Sequence, residues 1–154
     1  MNWMRIPLTQ GKSAIVDLAD FEYLSRWKWS TLQGHYAHRN TGDGWVRMHR
    51  LIMGEPEGMV DHRDGDGFNN RRTNLRTCTA QQNSANKRIS RNNTTGYKNI
   101  YWDTARKRWA VQIMNNGRKH SIGRYTNLEE AISARDEAVL NLNGEFARTE
   151  STHG

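Results

Sequence analysis

The chain has 154 residues with six Trp, a net charge of +7 and a pI near 9.9, a length that suits one ordinary domain or two small ones. At 35% hydrophobic content it lies below the globular average, so folded but small cores that lean on tryptophan are expected. The single cysteine, Cys78, excludes an internal disulfide and a four-thiolate zinc site. No run of about 18 apolar residues is present and the start lacks a secretion-signal core, so an intracellular protein without a membrane anchor is expected.

Residues 1–47 read as a small β-rich section around one helix. Ala14-Ile15-Val16 forms an apolar run bounded by Gly11 and Asp17, and Leu18 to Trp29 places Leu18, Phe21, Leu24 and Trp27 or Trp29 at helical intervals. His35-Tyr36-Ala37-His38 and Trp45-Val46-Arg47 read as strands on either side of the turn Asn40-Thr41-Gly42-Asp43-Gly44. On one strand His35 and His38 would point to opposite faces, which argues against joint metal ligation and for structural roles.

Residues 48–88 read as a β-loop-β-α unit. A short run, Met48-His49-Arg50-Leu51-Ile52-Met53, ends at Gly54 and Pro56. Met59-Val60-Asp61-His62 is a strand, the Gly/Asp/Asn-rich stretch 64–73 a loop, and Asn74-Leu75-Arg76-Thr77-Cys78 a second strand. A helix then starts at Thr79 and carries Asn83. Phosphodiester hydrolysis needs an activated water, neutralised phosphorane charge and a stabilised leaving oxygen. A hard divalent cation on oxygen ligands supplies the last two. Asp61 offers an anionic ligand, Asn83 a neutral carbonyl oxygen, and His62 a base that titrates near neutrality. Asn74 is better placed to pin the loop than to touch substrate. Asp61 and His62, being adjacent on a strand, serve one site only where the strand bends or substrate crosses its end. The same residues also read as ordinary turn chemistry. A calcium loop starting at Asp64 fails, because Phe68, Asn69 and Leu75 fall where a ligand, a glycine and a bidentate Glu are required.

Residues 89–96, Ile-Ser-Arg-Asn-Asn-Thr-Thr-Gly, read as a linker. Residues 97–148 read as three strands near 98–103, 108–114 and 118–125, with Asn115-Asn116-Gly117 as a hairpin turn. A helix follows near 128–142, with Asn127 capping it, Glu130 at its third position and Gly144 stopping it. From Lys87 to Tyr125 ten cations stand against one acid, Asp103, a local charge of +9 that leaves the rest near −2. These cations are interleaved with Tyr97, Tyr101, Trp102, Trp109, His120 and Tyr125, which favours a folded nucleic-acid surface over a disordered tail.

The combination of Met48 to Met53, Val60-Asp61-His62, Asp64-Gly65, Asn69-Asn70-Arg71, Asn74-Leu75-Arg76 and Gln82-Asn83 resembles the HNH homing endonucleases of phages and mobile introns. The resemblance implies a ββα-metal (His-Me finger) centre over 48–88, with His62 as general base, Asp61 and Asn83 as metal ligands and Asn74 as a structural residue. It leaves His49 structural or substrate-facing. It also implies Mg²⁺ or Mn²⁺ as cofactor and, for a phage-encoded chain, the host cytoplasm as location. Gly96-Tyr97-Lys98-Asn99-Ile100, Arg108-Trp109-Ala110-Val111-Gln112-Ile113, Ser121-Ile122-Gly123-Arg124-Tyr125 and Ala134-Arg135-Asp136-Glu137-Ala138 resemble the DNA-binding domain of plant ethylene-response factors. That resemblance implies a sheet laid in the major groove of double-stranded DNA, with Lys98, Tyr101, Arg108, Gln112 and Trp109 facing it and Arg106, His120 and Arg124 adding to the basic surface. Tyr101 and Asp103 stand where arginines are usual, so the target sequence does not carry over. The expected architecture is α+β: a β-rich N-terminal section, a ββα-metal centre, and a three-stranded antiparallel sheet packed on one helix. The expected function is metal-dependent endonucleolytic hydrolysis of duplex DNA, by nicking or double-strand cutting. The alternatives are a non-catalytic DNA-binding regulator and a structure-specific nuclease.

Overall fold

Apolar residues from both ends of the first eighty positions meet in one core. The computed structural model describes residues 1–149, which part into two units, Met1–Ala80 and the chain from Gln81 onward. In the first unit β1 (Trp3–Pro7) pairs antiparallel with β2 (Ser13–Asp17), and α1 (Leu18–Leu24) follows. A three-stranded antiparallel sheet then forms from β3 (Ser30–Leu32), β4 (Tyr36–Asn40) and β5 (Trp45–Arg47), leading into α2 (Met48–Ile52). The hairpin of β6 (Met59–His62) and β7 (Leu75–Cys78) completes the unit. Ile6, Val16, Leu24, Trp29 and Ala37 share a core with Met48, Ile52, Val60 and Leu75, so the sections on either side of position 47 are buried together.

Three local expectations are corrected. The helix over Leu18 to Trp29 stops at Leu24, because the Trp29 indole Nε1 donates to the Leu24 carbonyl (2.8 Å) and takes a C-terminal acceptor that another turn would have used. The apolar residues beyond it belong to the approach to β3. His35 lies in the turn before β4 and outside any strand. The segment 1–7, given no strand by pattern, contributes β1 as the partner of β2.

The 63–74 loop is stitched to the N-terminal hairpin. Ile15 N donates to the Phe68 carbonyl (2.8 Å), Asn70 N donates to the Ile15 carbonyl (2.7 Å), and Arg72 binds Asp17 through its backbone N (2.8 Å) and Asp20 through its guanidinium (2.7 and 2.9 Å). Gly67 passes so close to the β3–β4 turn that a Cβ there would lie 1.9 Å from the His35 carbonyl oxygen. No side chain fits at that crossing.

In the second unit α3 (Ala80–Asn86), which starts at the boundary, is followed by β8 (Ile100–Asp103), β9 (Arg108–Asn115), β10 (Arg118–Tyr125) and α4 (Leu128–Asn143). The strands form one antiparallel sheet in the order β10-β9-β8. Asn116 and Gly117 both have positive φ (51° and 71°), as a two-residue type I′ hairpin turn demands. The sheet packs on α4 through Ile100, Val111 and Ala131, with Trp109, Tyr125 and Ile132 around them. Asn127 caps α4, as expected, by accepting from Glu129 N (2.7 Å). Arg135 is wholly buried on α4 and donates to the carbonyls of Lys98 (2.8 Å) and Thr149 (3.1 Å). The end of the 89–96 linker is built structure. Asn93 Oδ1 accepts from Gly96 N (2.7 Å), Asn93 Nδ2 donates to the Tyr97 carbonyl (3.0 Å), and the Thr95 hydroxyl donates to the Ile100 carbonyl (2.9 Å). Short polar side chains here supply the backbone partners that a bend before a sheet otherwise lacks.

Candidate active site

Strand β6 alternates faces, and both of its candidate site residues, Asp61 and His62, are nevertheless buried. Val60 points into the core, Asp61 away from it, and His62 is the last residue of the strand, where Gly65 N donates back to the His62 carbonyl (2.9 Å) and turns the chain. Asp61 and Arg76 are register partners across the hairpin, so their side chains share a face. Arg76 places Nε and Nη2 each 2.9 Å from Asp61 Oδ2, and both residues are almost fully buried. A carboxylate removed from water needs such a partner. His62 lies where the sheet stops, at the last residue of β6.

Asn74 holds the loop in shape. Its Oδ1 accepts from Asp64 N (3.1 Å), and its Nδ2 donates to Asp64 Oδ1 (2.9 Å) and to the Asn69 carbonyl (2.8 Å). Burial pushes the Asp64 carboxyl upward, but hydrogen bonds from Asp66 N, Asn69 and Asn74 outweigh it and hold the group below its ordinary range.

His62 sits in a cluster that pattern reasoning reached only in part. Its Nε2 lies 3.0 Å from Asn70 Oδ1, its ring centroid is 5.0 Å from that of His49 in a near-perpendicular contact, and Tyr36 lies 5.8 Å away. Tyr36 also contacts His49 at 5.4 Å while remaining 42% exposed, so it forms the solvent side of the cluster. Burial lowers the pKa of His62, opposed by the Asn70 hydrogen bond and the nearby carboxylates of Asp64, Asp61 and Asp66. Burial pushes His49 down to about 3, helped by His62, Arg47 and Arg50. The His49 Nδ1 has no hydrogen-bond partner. Both imidazoles are therefore neutral at pH 7, the form in which a histidine accepts a proton. His49 is buried, with its ring against those of His62 and Tyr36. Asn70, Tyr36 and Arg76 were not identified as site residues from sequence. The hairpin register placing Arg76 opposite Asp61 was available there, whereas the meeting of Asn70 and Tyr36 with His62 depends on the loop folding back.

Asn83 lies on α3, in the second unit. Among the candidate DNA contacts, cross-strand register sorts the residues. Tyr101, Ala110 and Arg124 share one face of the sheet with Arg108, Asp103, Gln112 and Ser121. Tyr101 is about half exposed there, and Asp103 accepts from Arg106 (3.2 Å) and Arg124 (3.4 Å). Trp109 and His120 lie on the other face, towards α4. Trp109 packs edge-on against Trp102 (4.8 Å), and His120 is opposite the buried Ile113. Strand alternation assigns them there, correcting their placement with the DNA-facing set. Lys98 is also corrected: its Nζ donates to the carbonyls of Ser84 (3.3 Å), Ala85 (2.9 Å) and Lys87 (2.9 Å), so its charge closes the C-terminal end of α3.

No cluster of three or more His, Cys, Asp or Glu side chains able to hold a metal occurs among the described residues. A hydrated Mg²⁺ does not require one, since it commonly binds through one or two carboxylates and keeps several waters. An ionised carboxylate offers about four lone-pair sites, so one carboxylate can serve a guanidinium and a cation together. By donor type, a carboxylate such as Asp61 and an amide oxygen such as Asn83 suit a hard, water-rich cation and do not suit a soft one.

Residues 47–85 match the family model described as HNH endonuclease. The chain is 32% identical over 89 residues to Protein 3.8 of Escherichia phage T7, covering 58% of this chain and 73% of that one. It is 31% identical over 145 residues to the Uncharacterized HNH endonuclease L560 of Acanthamoeba polyphaga mimivirus, covering 90% of this chain and 74% of that one. No solved structure matches. With the matched segment holding the hairpin, the pinned loop and the Asp61–His62 pair, and with the similarity to a viral HNH endonuclease extending over nine-tenths of its length, the chain belongs to the HNH endonuclease family.

Proposed function

We propose that this protein is a metal-dependent endonuclease that binds duplex DNA and hydrolyses its phosphodiester bonds. The observation that carries this reading is the buried His62 at the end of β6, beside an Arg76-paired Asp61 and a loop pinned by Asn74. Asp61 and Asn83 would hold the divalent cation, Mg²⁺ or Mn²⁺. When bound, it neutralises phosphorane charge and stabilises the leaving oxygen. His62 takes the proton of the attacking water, typically worth about 10² to 10⁴ in rate. Arg76 holds the Asp61 carboxylate in its orientation. Asn74 fixes the loop that joins the two strands, and Tyr36 presents an exposed ring beside His62.

In the second unit the face carrying Tyr101, Arg108, Gln112 and Arg124 is the part of the sheet suited to a DNA groove, as in the ethylene-response-factor fold that its sequence resembles. Nicking of the kind homing endonucleases perform is consistent with one catalytic centre per chain. The test is cleavage of plasmid DNA in Mg²⁺, with and without EDTA, by the parent and by His62→Ala. The expected result is EDTA-sensitive nicking or linearisation that His62→Ala lacks. Equal cleavage by the two proteins would refute the assignment.

A further inference from the structure

The hydrogen bonds around Asn70 fix more than the position of the catalytic ring. Asn70 is wholly buried, and its backbone is anchored by donation from N to the Ile15 carbonyl. Its side-chain Nδ2 lies 3.5 Å from Met48 Sδ and 3.5 Å from the Phe68 carbonyl oxygen, and neither of these can donate to it. That end of the amide is therefore the NH₂ end. Its Oδ1 is consequently the atom turned to His62 Nε2, 3.0 Å away. An amide oxygen only accepts, so Nε2 must carry a hydrogen. In a neutral imidazole the other nitrogen then holds the lone pair.

We propose that Asn70 is the positioning residue for His62: it sets the tautomer, keeping the proton on Nε2 and making Nδ1 the basic nitrogen. The inference rests on the reading of His62 as general base. A water O–H bond breaks and its proton passes to Nδ1. The electron pair left on oxygen forms the new P–O bond as the bond to the leaving oxygen breaks. The resulting imidazolium keeps its Nε2–H on Asn70 Oδ1, so the ring does not have to turn during the transfer. Met48 and Phe68 act at one further remove, by holding the amide against a flip.

The test is two-bond ¹H–¹⁵N correlation of the full chain labelled with ¹⁵N-histidine, without DNA or metal, at neutral pH. The His62 signals are those missing from the His62→Gln protein. The expected pattern is a protonated, pyrrole-type Nε2 and a pyridine-type Nδ1. A proton on Nδ1, or an averaged pattern, would overturn the proposal. Asn70→Leu, close in volume and unable to accept, should give mixed tautomers and lower kcat by on the order of 10-fold to 100-fold, the usual cost of losing a partner that orients a functional histidine. An unmixed Nε2–H form in a folded Asn70→Leu protein would overturn the role of Asn70. Should that variant fail to fold, Asn70→Asp decides the matter, since its stronger acceptor should preserve the Nε2–H pattern and move the Hε2 resonance downfield. An unmoved resonance would count against the proposal. Because the spectra need no cleavage, an inactive protein with the expected tautomer would sink the nuclease reading alone. An active protein with the opposite tautomer would sink this inference alone.

Discussion

Replacing His49 by Leu should make the first unit resistant to mild acid. In the folded chain the His49 ring is 4% exposed between Tyr36 and His62, and its pKa is pushed down from 6.5 to about 3, first by burial and then by His62, Arg47 and Arg50. The unfolded ring protonates near 6.5, so below that pH the unfolded state binds the extra proton and stability falls as pH falls. The loss grows to about 2 kcal/mol at pH 5 and approaches about 5 kcal/mol near pH 3, at 1.36 kcal/mol per pKa unit. Above pH 6.5 the term falls from about 0.4 kcal/mol towards zero. Leu has a similar volume and removes a buried Nδ1 that has no partner, so at neutral pH the substitution should be within about 1 kcal/mol of neutral. The assay is urea unfolding at pH 7.5 and pH 5, followed on the Val60 and Leu75 amide cross-peaks, which report the core of the first unit. The parent should lose about 2 kcal/mol more than His49→Leu between the two pH values. His62 is also held below its ordinary pKa and contributes a loss of the same sign in both proteins, so the difference between them isolates His49. An equal loss in both would refute the claim that burial keeps this ring neutral.

Arg76→Met should destabilise the first unit by about 3 to 5 kcal/mol, because it strands a buried carboxylate, and Asp61→Asn in the same chain should restore part of that in urea unfolding. Gly67→Ala should prevent the loop from closing over the His35 carbonyl and abolish the dispersed amide spectrum of the first unit. Gly117→Ala has open space around it and only a φ of +71° to strain, so it should cost about 1 kcal/mol in thermal unfolding. Arg108→Ala should weaken duplex binding and reduce the salt slope by about 1, whereas Trp109→Ala should act mainly on the stability of the second unit. Titration of a fluorescent duplex at several salt concentrations separates the two.

The second unit was legible in sequence because its signals are local. The Asn116-Gly117 turn fixes the start of the β9–β10 register, alternation then assigns Arg108 and Gln112 to one face, and the helical period of Leu128 to Leu142 needs no distant partner, whereas Arg124 joins that face only through the register shift between Ser121 and Gly123. The departures arose where a long-range contact overrode a local one. Trp29 carries a helical interval but spends its indole on the carbonyl that ends α1. Lys98 looks like a groove-facing cation, but the carbonyls that end α3 claim its ammonium. Trp109 and His120 are an aromatic and a basic side chain in a basic block, yet strand parity, which composition does not carry, sends them to the helix side.

The site divides along the same line. Asp61, His62 and Asn74 could be named from spacing because a hairpin and its loop set their relations within fifteen residues. The surroundings of His62 could not, because they come from Asn70 in a loop anchored to Ile15, from His49 on α2 and from Tyr36 on β4, three segments distant in sequence. Burial alone would make His62 a neutral ring with either tautomer. An acceptor at Nε2 selects one, and the neighbouring carboxylates of Asp64, Asp61 and Asp66 oppose burial so that the ring keeps its ability to take up a proton. His49, with no carboxylate opposing its burial, is driven to about 3 and loses that ability near neutrality. Two histidines with centroids 5.0 Å apart thus stand in different electrostatic surroundings, set by the charges and acceptors around each, a distinction that residue type and spacing do not encode.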